Sequence, residues 1–152
     1  MKSLLCVIHA PSENTKAIKN AVFKKLENEN LSLEIKYLNP FEANASHVLD
    51  ADGLLIGTTE NLASMAGSTK DFFDRTYNEL IFKKEGLPVA AWVRAGHDGT
   101  GTVNQINSIV NGLKWRMVQE IIVCKGTWEK RFLEECINLS LSFAHGIESN
   151  IF

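Results

Sequence analysis

The chain has 152 residues, a formal net charge of −2, 45% hydrophobic and 22% charged residues, which suits one globular domain, residues 1–152, with a core of its own. No basic stripe is visible, which argues against a nucleic-acid partner, and no apolar run is long enough to span a bilayer, which argues against a membrane. The three cysteines, Cys6, Cys124 and Cys136, form no CxxC, and the four histidines show no metal-ligand spacing, so a reduced, cytoplasmic protein with buried, inert thiols and no metal is expected.

The start, MKSLLCVIHAPS, has one Lys and a brief apolar stretch with no cleavage site, and reads as a first strand rather than a signal peptide. Residues 3–10 are nearly continuously apolar, as in a strand covered on both faces. Residues 14–30 have helical spacing, with Ile18, Ala21, Val22 and Leu26 on one face and Lys24 and Lys25 on the other. Residues 31–38 alternate, as a half-solvated edge strand does. Residues 40–51 form a weak element, a short helix. Residues 52–58, DGLLIGT, are a second buried strand. Residues 64–80 are a helix with Met65, Phe72, Phe73 and Leu80 inward and the i,i+4 pairs Lys70/Asp74 and Asp71/Arg75 outward. Residues 87–95 are a third buried strand. A helix follows over 102–114, through Val103, Ile106, Ile109, Val110 and Leu113. Residues 116–124 read as a fifth strand and 128–146 as the closing helix.

Strand and helix alternate five times, and three strands are buried on both faces. This predicts an α/β three-layer sandwich, a five-stranded parallel sheet with helices on each side. Right-handed crossovers cover both faces only if the strand order reverses once, and the order 2-1-3-4-5 does this. Ligands in such sheets bind beyond the carboxyl ends of the strands, at the switch point between strands one and three. The loops after strands one, three and four are therefore the candidate site.

The first of these, HAPSENT (9–15), places Ser12, Asn14 and Thr15 at a helix start. Free N–H groups and the helix dipole there can hold a phosphate; simple capping by Ser12 or Asn14 is the alternative. The loop after strand three opens with the short polar run Thr58, Thr59, Glu60 and Asn61, then Leu62. The loop after strand four, RAGHDGTGT (94–102), carries Gly96, Gly99 and Gly101, which let the backbone approach a flat ligand or take φ > 0; a flexible turn capped by Thr100 or Thr102 is the alternative. His9 reads as a packing or hydrogen-bonding residue, and Trp128 as a core or surface residue.

These motifs resemble the flavodoxin-like superfamily, nearest to its NAD(P)H:quinone and FMN reductases. The stretch ADGLLIGTTENLASMAGSTKDFFDRT (51–76) is similar to the third-strand pattern of the reductase branch, APSENT to the phosphate loop, and AGHDGTG to the glycine-rich fourth loop. The resemblance covers most of the chain. It implies FMN as cofactor, with its phosphate on Ser12, Asn14 and Thr15. It places the isoalloxazine ring against Thr58, Thr59, Glu60, Asn61 and Leu62 on one side and Ala95, Gly96, His97 and Asp98 on the other. His97, beside the flavin N1/O2 edge, is then the candidate catalytic group, stabilising negative charge on the reduced ring; a solvent-exposed loop histidine is the alternative. It further implies NAD(P)H as co-substrate, passing hydride to flavin N5 and on to a quinone or similar acceptor. A homodimer or homotetramer would complete the site, with the apolar ending GIESNIF in its surface.

The chain departs from the family pattern at three points. Ala10 stands where the phosphate loop begins with a hydroxyl, Glu13 where Gly is usual, and Thr59 where the reductases have Pro. Neither ring-facing loop carries a Trp or Tyr. Three functions stay open: an FMN-dependent oxidoreductase, a flavodoxin-like domain that has lost tight FMN binding and takes another small molecule or a protein, and a flavodoxin-type electron carrier. The last class is usually strongly acidic for docking, whereas −2 is mild.

Overall fold

The computed structural model describes residues 1–152. Its elements are β1 (Lys2–Ile8), α1 (Glu13–Asn28), β2 (Leu33–Leu38), α2 (Ala45–Leu49), β3 (Gly53–Asn61), β4 (Ser64–Met65), α3 (Gly67–Leu80), β5 (Pro88–Ala95), α4 (Thr100–Gly112), β6 (Arg116–Met117), β7 (Ile122–Lys125) and α5 (Arg131–Glu148). The parallel sheet runs β2-β1-β3-β5, and β6 and β7 share the fifth position beside β5. That is the expected order, with the reversal between β1 and β3. No helix is long and apolar enough to cross a membrane.

Side chains alternate across a strand, so each buried strand feeds two cores. Leu5, Val7, Leu54, Ile56, Val89 and Ala91 face α3 and α4, meeting Phe72, Phe73, Ile106 and Val110. Leu4, Cys6, Leu55, Ala90 and Trp92 face α1 and α5, meeting Ile18, Val22, Phe132 and Phe143. All three cysteines are buried as expected. Lys70–Asp74 and Arg75–Asp71 pair at 2.6 Å on the outer face of α3.

Two regions differ from the sequence reading. The fifth strand is not one run over 116–124. Arg116 and Met117 pair with Pro88 and Val89, and pairing resumes with Ile122 opposite Trp92. The four residues Val118 to Ile121 thus lie opposite Ala90 and Ala91 alone, a bulge that breaks the edge. The second difference is at β3, which does not end near Thr58 in an open loop. It continues to Asn61, turns at Leu62 and Ala63, and returns as β4, pairing Glu60 with Met65 and Asn61 with Ser64. Leu62 and Ala63 both have positive φ, 53° and 62°, the pattern of a type I′ turn, whose twist matches that of the strands. Asn-Gly is the usual pair there, and for a residue with a Cβ the left-handed region costs about 1–2 kcal/mol.

Candidate functional site

At the carboxyl end of β1 the sequence folds on itself. Ser12 is the N-cap of α1 and forms a capping box with Thr15. The Ser12 N–H donates to Thr15 Oγ1 at 2.9 Å, and the Thr15 N–H donates to Ser12 Oγ at 3.2 Å. Of the two candidate caps, Ser12 is the one used; Asn14 is the second residue of the helix. Glu13 and Asn14, at the first and second helical positions, carry N–H groups with no partner inside the helix. The Glu13 side chain is 97% exposed, with Lys16 Nζ 3.8 Å from its carboxylate. It therefore points to water rather than over the helix end.

The next strand contributes less free chemistry than its composition suggests. Thr58 is buried, and its Oγ1 lies 2.7 Å from Thr69 Oγ1 on α3. Thr59 Oγ1 donates to Asn61 Oδ1 at 3.0 Å. The carboxylate of Glu60 reaches across to the start of α4. It accepts from the Gly99 N–H at 3.2 Å, the Thr102 N–H at 3.3 Å and the Thr102 hydroxyl at 3.2 Å. Neither Thr100 nor Thr102 caps α4 with its own side chain: the N-cap is Gly99, in the left-handed region at φ 75°. Asp98 supports the same helix end, accepting from the Thr100 N–H at 3.0 Å. That bond holds the Asp98 carboxyl below its usual range, with Lys125 and His97 adding to the effect.

The hairpin is further clamped to α4 by Gln105, which the sequence reading missed. Its Oε1 accepts from the Met65 N–H at 2.7 Å, and its Nε2 donates to Ser64 Oγ at 2.8 Å. Gly101 is required by contact. A Cβ there would stand 2.0 Å from the carbonyl oxygen of Ala63. Gly96 has open space around it and needs no such explanation. The loops after β3 and β5 are thus joined directly, where a flat ring was expected to lie between them. Leu62, at the hairpin tip, is fully exposed.

Beside this junction lies an open cleft of ≈ 820 Å³ lined by Glu60, Ala63, His97, Asp98, Lys125, Gly126, Thr127 and Glu129. The predicted residues Glu60, His97 and Asp98 are brought together here. Ala95 is a core residue of β5 with its side chain turned inward. The last four lining residues come from the end of β7 and the stretch after it, outside the three loops chosen from topology; the polar stretch KGT following an apolar run was the available signal. His9 hydrogen-bonds as expected: its N–H donates to the Gly57 carbonyl at 2.8 Å, and its Nδ1 lies 3.0 Å from Ser68 Oγ. Burial lowers the His9 pKa. Trp128 packs edge-on to Phe132, at 5.7 Å between centroids.

FMN can be weighed against these residues. Its phosphate fits the first turn of α1, which offers two N–H donors and the positive end of the dipole, with Glu13 turned away. The slot between the two ring loops is closed by Glu60 and by the Ala63–Gly101 contact, so the ring does not fit there as expected; the open cleft beside them shares no lining residue with the first turn of α1.

No family model matches the sequence, and no curated protein matches it. Its fold is that of solved flavodoxins. Oxidised flavodoxin 1 from Bacillus cereus superposes with a TM-score of 0.77 at 16% identity, covering 95% of this chain and 98% of that one. A flavodoxin from the domain Archaea gives 0.76 at 19% identity, over 97% and 99% of the two chains. The flavodoxin, WrbA-like protein from Agrobacterium tumefaciens gives 0.74 at 13% identity, over 98% and 99%. The chain therefore has a flavodoxin-like fold over nearly its whole length.

Proposed function

We propose that this chain is an FMN-dependent oxidoreductase working between NAD(P)H and a quinone or similar acceptor. The observation that carries this reading is the first turn of α1 at the switch point of the sheet, open to an anion, with the Glu13 carboxylate directed to solvent. The Glu13 and Asn14 N–H groups hold the phosphate, in a turn shaped by the capping box of Ser12 and Thr15. Thr58, Thr59 and Asn61 keep their structural bonds, so contacts to the ring fall to the cleft residues Ala63, His97 and Asp98, with Glu60 beside them. Lys125 supplies positive charge, and His97 a ring donor, where the ring gains negative charge; both line the cleft. When bound, FMN supplies the two-electron chemistry, and no side-chain nucleophile is needed.

A second reading is favoured by the Glu60 junction and the polar lining of the cleft. In it the same fold has given up tight FMN binding and takes another small molecule or a protein. A visible spectrum of the purified protein and a titration with FMN separate the two. Submicromolar binding that Ser12→Asp weakens at least tenfold supports the oxidoreductase, and His97→Ala should then lower the midpoint potential of the bound flavin. A colourless protein that ignores FMN at high micromolar concentration leaves the second reading.

A further inference from the structure

Cys124 lies in β7 and Cys136 in α5, and their Sγ atoms are 3.6 Å apart in the core beneath α5. Nothing in the proposed FMN site uses them. Cys6 is on β1, with β3 and β5 between it and β7. The surroundings of Cys124 are not those of an ordinary core thiol. The Arg94 guanidinium donates from Nη1 to the Ala95 and Cys124 carbonyls, at 2.7 and 3.0 Å, and from Nη2 to the Gly126 carbonyl at 2.7 Å. Its Cζ stands 5.3 Å from the Phe132 ring centroid. No carboxylate pairs with it, so a half-buried cation without a counter-ion sits against the backbone of Cys124. A cation there favours the thiolate, and the thiolate is the reactive form.

We infer that Cys124 and Cys136 are a reversible dithiol–disulfide site oxidised by a small hydroperoxide. This goes beyond the FMN reading and departs from the expectation of inert thiols. The two thiols are made unequal by their contact. The contact with Cys136, with Arg94 and Arg131 adding to it, lowers the Cys124 thiol against the opposing effects of burial and Glu135. The Arg94 guanidinium bonds to the backbone of Cys124 and not to that of Cys136. Cys124 is therefore taken as the attacking sulfur and Cys136 as the resolving one.

In the first step the Cys124 thiolate attacks a peroxide oxygen. The O–O bond breaks, Cys124 becomes a sulfenic acid, and with hydrogen peroxide one water leaves. In the second step the Cys136 sulfur attacks the sulfenic sulfur, the S–O bond breaks, the S–S bond forms, and a second water leaves carrying the Cys136 proton. Two thiols lose two electrons to one peroxide. Both side chains are 0% exposed, so an oxidant reaches them only through local opening, which a small hydroperoxide needs less of than a bulky disulfide. The sulfurs must approach from 3.6 Å to about 2.05 Å, a shift within reach of side-chain rotation.

The test uses folded, full-length protein without added FMN. It is treated with hydrogen peroxide, quenched with an alkylating agent in denaturant, and analysed by intact mass and a non-reducing peptide map. The expected product is lighter than the reduced protein by two hydrogens before alkylation and carries one label, on Cys6. Its Cys124 and Cys136 peptides are joined, and dithiothreitol reverses the change. Cys6→Ala should form the same link at the same rate, which guards against a variant that fails to fold. Three labels after treatment would overturn the proposal, as would added oxygen without the link, a link through Cys6, or a link formed only in denaturant.

Discussion

Helices α1 and α4 both begin at the carboxyl edge of the sheet, and they satisfy their first turns in opposite ways. α1 is capped from within four consecutive residues, Ser12 to Thr15. α4 starts at a glycine and borrows its main acceptor, Glu60, from 39 and 42 residues upstream. A local cap holds whatever its neighbours do. A borrowed cap joins two loops and is lost when they part. One side of the candidate site is thus fixed by its own helix, and the other depends on a long-range contact.

The largest test of this contrast is Glu60→Ala. It leaves two backbone N–H groups and the Thr102 hydroxyl without their acceptor, and should cost about 2–3 kcal/mol in urea denaturation. Amide exchange over 97–102 should rise with it. A change within a few tenths of a kcal/mol would mean the junction contributes nothing. Ser12→Ala comes next, with a cost of about 1 kcal/mol and no change in exchange over 97–102. If it cost more than Glu60→Ala, the contrast would be reversed.

Leu62→Gly works in the other direction. Relief of the left-handed strain, less the entropy of glycine, should stabilise the hairpin by about 0.5–1 kcal/mol; destabilisation would show that the Leu62 side chain has a partner. The smallest effect is on pH dependence. Burial lowers the His9 pKa, so the unfolded chain takes up the proton first. Stability from neutral His9 is complete above about pH 6.5 and falls as the pH drops toward the folded value. His9→Gln should flatten that decline, and a profile unchanged from the parent would place its origin elsewhere.

The same contrast explains what was legible in the sequence. The two-faced burial of β1, β3 and β5 follows from periodicity, which one stretch of chain records, and strand order from the handedness of the crossovers; the cap of α1 was narrowed to Ser12 or Asn14. The hairpin did not announce itself, because Leu62–Ala63 lacks the glycine or asparagine that marks a type I′ turn. The bulge at Val118–Ile121 is hidden because its apolar residues continue the strand pattern. The Glu60 bonds and the Gln105 clamp are tertiary, and a polar side chain in a loop gives no sign of which distant N–H it will meet. Gly101 was noticed for its lack of a side chain, yet the structure fills that space with the Ala63 carbonyl rather than a ligand.

The broken fifth strand bears on how copies of the chain meet. A sheet invites continuation wherever an edge offers a long, flat row of unpaired backbone groups. Here one margin, β2, exposes Glu34 and Lys36, and the other is kinked by four residues set against two. Neither margin is a template for strand-by-strand stacking, which protects crowded or refolding chains from fibrous aggregation. Pairing of copies through the sheet edges is therefore disfavoured.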